Sequence, residues 1–193
     1  MSELHDIFLT GIGAITARGD YTLREQKPRE SNNFSIADFD LKNYPLSPKT
    51  YLDRCSALAL AGCALALHDA QISPPLNSDD SDMSTHNASA HNLCGITLGT
   101  HLGCLETMKT FWDKAIEKGA RLANPLLFSH SYLNSPISLC AIEFGLKGYH
   151  ATFCSGESSG LDAVRAAFDA LRLGHAGLMV CGGAEAVSPA RAL

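Results

Sequence analysis

The order of apolar and polar positions divides the chain into a small set of elements. Residues 7–9 form a short apolar run that enters a glycine turn, TGIGAIT, and predict a first strand. Residues 18–48 are polar, rich in Asn, Asp and Pro, and read as loop with one short helix over 21–26. Residues 51–72 carry the clearest helical pattern. Leu52, Leu58, Ala59, Gly62, Cys63, Leu65 and Ala66 spread small and branched side chains around it, as in a helix packed on both sides. His68 and Asp69, at its end, suit the surface. Residues 73–92 are polar and small (PPLNSDDSDMSTHNASAHN) and predict a mobile surface excursion.

The second half of the chain is more regular. Residues 93–98 read as a buried strand, with Gly99 and Gly103 around the turn that follows. A helix over 104–118 sets Leu105, Met108 and Trp112 at i, i+3 and i+7, one apolar stripe. Residues 125–144 predict a loop and a helix with Pro136 in its first turn, Asn134 and Ser135 serving as caps. Residues 149–154 are β-prone and run into a Ser155-Gly156 turn. The helix after that turn spaces Leu161, Val164, Phe168 and Leu171 along one face, and Gly174 ends it. Residues 178–181 form a last buried strand, closed by Gly182-Gly183.

Composition narrows the classes. A chain of 193 residues with 46% hydrophobic and 18% charged residues predicts one globular domain with a real core. A net charge of −5 gives no electrostatic reason to expect nucleic acid or an anionic membrane as partner. The N-terminus carries no signal-peptide pattern, and no stretch reaches the ~20 apolar residues of a membrane span, so a cytoplasmic location is expected. The seven cysteines (Cys55, Cys63, Cys94, Cys104, Cys140, Cys154 and Cys181) lack zinc spacing and read as reduced thiols of the core. No metal is expected: His86 and His91 fall in the polar excursion without fixed partners. No cofactor is expected either, because Gly11 and Gly13 lack the third glycine and the following helix of a dinucleotide fingerprint.

Strand, sharp turn, helix and strand over 149–183 form a device that holds one side chain at a helix N-terminus, where negative charge is favoured. The residue at that place is Glu157. Cys154 lies three residues earlier, within the strand, and is expected to be buried and unactivated. Ser155, Ser158 and Ser159 crowd the turn, yet no His base with an orienting acid stands at recognisable spacing. Four basic residues, Lys109, Lys114, Lys118 and Arg121, read as a solvated helix face.

The stretch LKGYHATFCSGESSGLDAVRAAFDALRLGHAGLMVCGG resembles the nucleophile elbow of the β-ketoacyl synthases, condensing enzymes of the thiolase fold. FLTGIGAITARGD, CGITLGTHLG and NPLLFSHSYLNSPISLCAIEFGLKG agree with it in order and spacing. The resemblance implies an α/β chain of thiolase-like α-β-α layers, the N-terminal half only. It therefore implies one domain over 1–193, without the histidines and lysine of the family's C-terminal half. Aligned without gaps from Gly148 to Gly182-Gly183, the family's catalytic Cys falls on Glu157. A carboxylate cannot carry the acyl group, since its anhydride would hydrolyse, so no catalytic residue is assigned. Glu157 is then either a structural anion or a mimic of an acylated cysteine that promotes malonyl decarboxylation.

Similarity to the chain length factors, inactive partners of ketosynthases, implies further roles. Leu105, Met108 and Trp112 would gate the acyl tunnel or simply pack the core, and Phe128 and Leu133 would add to either. Tyr149, His150, Ala151, Thr152, Phe153 and Cys154 match the strand that pairs across the dimer axis. The partners implied are a full-length ketosynthase, in a heterodimer, and an acyl carrier protein reached through that complex. Two alternatives are a malonyl-carrier-protein decarboxylase that primes chains and an N-terminal piece complemented by a separate C-terminal half.

Overall fold

The computed structural model describes residues 6–28, 36, 39–76 and 93–186. Its main sheet has three parallel strands: β4 (Cys94–Gly99), β5 (His150–Phe153) and β6 (Leu178–Gly183), in the order β5-β4-β6. In register, Ile96 faces His150 on one side and Val180 on the other. Because β4 is central, both of its faces are covered, which is why CGITLG is apolar or small throughout.

Strand alternation sorts β4 between two helical layers. Ile96 and Leu98 enter the core with α1 (Arg54–Asp69) and α4 (Ser135–Phe144), meeting Leu60, Leu67, Ile137, Cys140 and Phe144. Phe144, Leu60, Ile96 and Ile137 are fully buried, each worth roughly 1.5–3 kcal/mol in removed apolar surface. On the other face Thr97 donates its hydroxyl to the Ala163 carbonyl at 2.8 Å, fixing α5 (Ser159–Arg172) to the strand. The result is the expected α-β-α layering. The helix α5 buries Ala163, Ala167 and Ala170, whereas Leu161, Val164 and Phe168 face outward. Their shared face is an outer one.

Helix α1 starts at Arg54, three residues after the expected start at Tyr51, because Asp53 caps it, accepting the Cys55 N–H at 2.7 Å. Between α1 and α4, the helices α2 (Leu105–Lys118) and α3 (Pro125–Ser129) stand close together at one side of the domain. At the start of α4, Asn134 occupies the cap position without a side-chain bond, and Ser135 donates to the Ser129 carbonyl instead.

Three expectations are corrected. Residues 7–9 are not a strand: Phe8 and Leu9 are exposed, and the segment borders an open cavity of about 690 Å³ beside β6. The chain is instead held just beyond it, where Gly11 and Gly13 lie so close to α1 that an added Cβ would meet the Ala66 and Gly62 carbonyl oxygens at 2.4 and 2.3 Å. Residues 21–26 are not helical but turn a small antiparallel sheet of β1 (Ala14–Thr16), β2 (Gly19–Tyr21) and β3 (Gln26–Pro28). The Thr22 hydroxyl accepts the N–H groups of Arg24 and Glu25, a local bond that competes with a helix. Third, Asp69 is buried, not exposed. It accepts the N–H groups of Ile12 and Leu23 at 3.0 and 3.1 Å and ties the N-terminal segment to α1. Most of the expected mobile excursion, 77–92, lies outside the described residues, as do His86 and His91. No helix among the described residues is long and apolar enough to cross a membrane.

Candidate functional site

The turn after β5 is built from short hydrogen bonds and glycine. Gly156 has φ 77°, the left-handed region that an L side chain enters only at a cost. The Ser155 N–H donates to the Ser159 hydroxyl at 2.9 Å, and that hydroxyl donates to the Gly156 carbonyl at 2.5 Å. Asp162, in the first turn of α5, accepts the hydroxyls of Ser155 and of Ser158, the latter at 3.1 Å. The serines that crowd the turn are thus spent on holding it. Glu157 sits in the single 3-10 turn Gly156–Ser158 and is exposed, directly before α5. Three glycines let that helix approach the strand ends: Gly99 on β4, Gly160 on α5 and Gly183 on β6.

No thiol nearby is prepared for nucleophilic work. Cys154 is exposed, against expectation, because it lies one residue past the end of β5. Desolvation, and then the charge of Glu185, push its thiol above the ordinary range. Burial pushes Cys55 up to about 12. Cys55, Cys63, Cys104 and Cys140 are buried as expected, whereas Cys181 is exposed, and all are free. Among the described residues no group of three or more His, Cys, Asp or Glu is placed to hold a metal.

A second feature lies beside the turn. A cavity of about 510 Å³ opens between α2, the α3–α4 segment and β5. Met108, Trp112, Phe128 and Leu133, four of the five residues expected to shape a tunnel, line it. Leu105, the first residue of α2, does not: it stands one turn before Met108. Phe111 was not anticipated. It lies three residues after Met108, a helical spacing already visible in the chain, and its ring meets Trp112 at 5.5 Å and Phe128 at 5.3 Å. Tyr132 continues the series at 5.0 Å from Phe128. From β5 comes Thr152 and, from the residue just past the strand's end, Cys154.

The strand that carries Thr152 is the sheet edge. Among the described residues β5 pairs with β4 alone. Within the segment expected at a dimer axis, Tyr149 and His150 are exposed, Cys154 flanks the strand, and Ala151, Thr152 and Phe153 are half-buried. Desolvation holds the His150 imidazole below its usual range.

Comparison with known proteins agrees with this architecture. The family model "Beta-ketoacyl synthase, N-terminal domain" matches residues 10–193. The tetracenomycin polyketide synthase ketoacyl synthase alpha subunit of Streptomyces glaucescens is 30% identical over 187 residues, which is 90% of this chain and 40% of that protein. A β-ketoacyl synthase structure from Burkholderia phymatum superposes with TM-score 0.68 at 18% identity, over 95% of this chain and 48% of the other. The ishigamide ketosynthase/chain length factor superposes with TM-score 0.64 at 20% identity, over 82% and 37%. These structures share the fold. The chain spans less than half the length of the curated relatives it matches.

Proposed function

The chain belongs to the β-ketoacyl synthase N-terminal domain family, and from that premise we propose that it is a non-catalytic, chain length factor-like subunit. It pairs with a full-length ketosynthase in type II polyketide, polyene or fatty-acid-like chain elongation, and helps to shape the acyl tunnel. The observation that carries this reading is the aromatic cavity against an exposed edge strand. Apolar walls there are half open to water, with Trp112 at 56% and Phe128 at 45% exposure, a state that a covering partner relieves. An unpaired edge such as β5 is a ready place for that partner to add a strand, with residues 149–154 at the interface.

The chemistry of the elbow supports the non-catalytic part. Condensation needs a thiolate to carry the acyl group as a thioester. On this reading Glu157 takes the place of that thiolate. The nearest thiol, Cys154, is pushed towards its protonated form. The partner supplies the condensing site, and the acyl carrier protein meets the complex rather than this chain alone. A cytoplasmic location fits such a role.

A second reading has its own observation. The outward stripe of Leu161, Val164 and Phe168 on α5 suits a covering layer such as a separate C-terminal half would supply. Co-expression with each full-length ketosynthase and with each separate C-terminal half encoded beside this chain, followed by mass measurement of the complexes, separates the two. A one-to-one complex with a full-length ketosynthase supports the proposal. A lone soluble chain that binds no synthase overturns it, and malonyl-carrier-protein decarboxylation by Glu157 becomes the reaction to assay.

A further inference from the structure

A cavity of about 660 Å³ is lined by β2, β3 and the turn between them, by residues 43–45 and by the last turns of α1. Its volume falls within the roughly 300–1,000 Å³ of ligand pockets. It shares no lining residue with the aromatic cavity, and Glu157 is not part of it.

Asp69 lines this cavity although it is only 3% exposed. Its Oδ2 accepts the Ile12 and Leu23 N–H groups at 3.0 and 3.1 Å. Its Oδ1 is buried, and among the described residues no donor lies within hydrogen-bond distance of it. Thr22 stands beside the carboxyl, but its hydroxyl proton goes to the Glu25 carbonyl at 3.3 Å. A buried carboxylate oxygen left without a donor is costly. This one therefore calls for a donor from outside the chain.

The surroundings say which kind. Asp20 brings a second carboxylate to the same cavity, its Oδ2 accepting the Tyr44 hydroxyl at 2.8 Å. Asp20, Glu25 and Asp69 outnumber Arg24 and Lys27 around it, and Lys27 pairs with Glu25 at 3.6 Å. Pro45, Ala64 and Leu65 add an apolar wall. An ammonium group on a short alkyl stem matches both parts. It brings three donors on one positive charge, its bonds to an ionised acceptor are the strong kind, and its stem lies along apolar surface as a lysine stem does. A bare metal ion is less well served: among the described residues no group of three or more His, Cys, Asp or Glu is placed to hold one.

We propose that this cavity binds a small primary amine in its ammonium form, with Asp69 as the anionic acceptor and Asp20 as the second carboxylate. The site stands apart from the tunnel and partner readings and does not depend on either.

The amides of Ile12 and Leu23 make the test local, because they donate to the other oxygen of the same carboxylate. The isotope-labelled full chain is titrated with n-butylamine and followed by amide resonances. Where the chain needs its ketosynthase to stay in solution, the complex is titrated with only this chain labelled. n-Butanol has the same stem without the charge, and tetramethylammonium has the charge without N–H donors. Saturable shifts at Ile12 and Leu23, with each control binding at least about tenfold more weakly and a similar loss in Asp69→Asn, support the proposal. Should Asp69→Asn fail to fold, Asp20→Asn, which keeps an acceptor for Tyr44, is expected to weaken binding. Arg24→Ala, which takes a like charge from the rim, is expected to tighten it. Absence of shifts at the two amides overturns the proposal, as do equal shifts with n-butanol or with magnesium ion. So does binding that is seen only in Arg24→Ala, which makes the Arg24 side chain the occupant.

Discussion

Gly99 and Ser159 touch backbone to backbone: a Cβ placed on Gly99 would lie 2.1 Å from the Ser159 carbonyl carbon. The last residue of the central strand therefore sets how closely α5 approaches, and with it where Glu157 is held. Gly183 repeats the arrangement from the neighbouring strand, its Cβ position lying 3.2 Å from the Gly160 Cα. The N-terminus of the helix is thereby placed beyond the carboxyl ends of the parallel strands, where α/β sheets place their sites.

Two glycine substitutions separate close packing from backbone strain. Gly99→Ala meets backbone atoms that cannot give way, and is expected to cost at least about 1–3 kcal/mol, as overpacking does. Gly156→Ala meets nothing within 4 Å but keeps a left-handed φ, so it should cost about 1–2 kcal/mol from conformation alone. Urea midpoints of the two variants check the order. A smaller loss for Gly99→Ala than for Gly156→Ala would contradict the contact.

Asp69 predicts an acid-sensitive attachment of the N-terminal segment. The Ile12 N–H is the main cause that holds its carboxyl below the ordinary 3.8; burial opposes this, and Leu23 adds a second bond. A depressed folded-state value gives stability that is fully present above the unfolded value, near 3.8, and lost as pH falls through the lower folded value. Melting temperature should therefore fall more steeply on acidification below about pH 4 in the natural chain than in Asp69→Asn. Identical slopes would remove the linkage.

The contrast between Asp69 and the strands shows what was legible in the sequence. β4, β5, β6, α1 and α5 were readable because each carries its own apolar period and its own stop, such as Gly174 after α5. Asp69 was not, because its partners Ile12 and Leu23 lie 57 and 46 residues away. Residues 7–9 are apolar enough for a strand but make no ladder with β6. At residues 21–26 one threonine hydroxyl decides the turn. In the cavity, the stripe through Met108 and Trp112 was visible, but that Leu105 stays outside the lining and that Phe111, against Phe128 of α3, joins it required the packing of the two helices. The strand–turn–helix pattern drew attention to Glu157; its exposure and the serine–Asp162 bonds around it required coordinates.

Glu157 separates the partner role from decarboxylation. If the partner supplies the condensing site, Glu157→Gln and Glu157→Ala should leave chain elongation by the complex unchanged, with stability altered by no more than about 1 kcal/mol for a helix-terminus anion. The assay is turnover of malonyl-carrier protein into product and into released carbon dioxide. Loss of carbon dioxide release in both variants, with folding intact, would transfer the function to this carboxylate.

Trp112 tests the tunnel without testing the fold. Its side chain is more than half exposed and its one ring contact is edge-to-face with Phe111, so Trp112→Ala should cost the uncomplexed chain no more than about 1.5 kcal/mol. Its place in the ring series means that the same substitution widens the cavity where a chain would end. The ketosynthase complex carrying Trp112→Ala should release longer products than the natural complex, and Leu105→Ala, outside the lining, should not. Mass spectra of the released chains decide it. Equal lengths from both variants would make the cavity a packing feature of the interface, whereas lengthening by Trp112→Ala alone ties product length to a wall contributed by this chain.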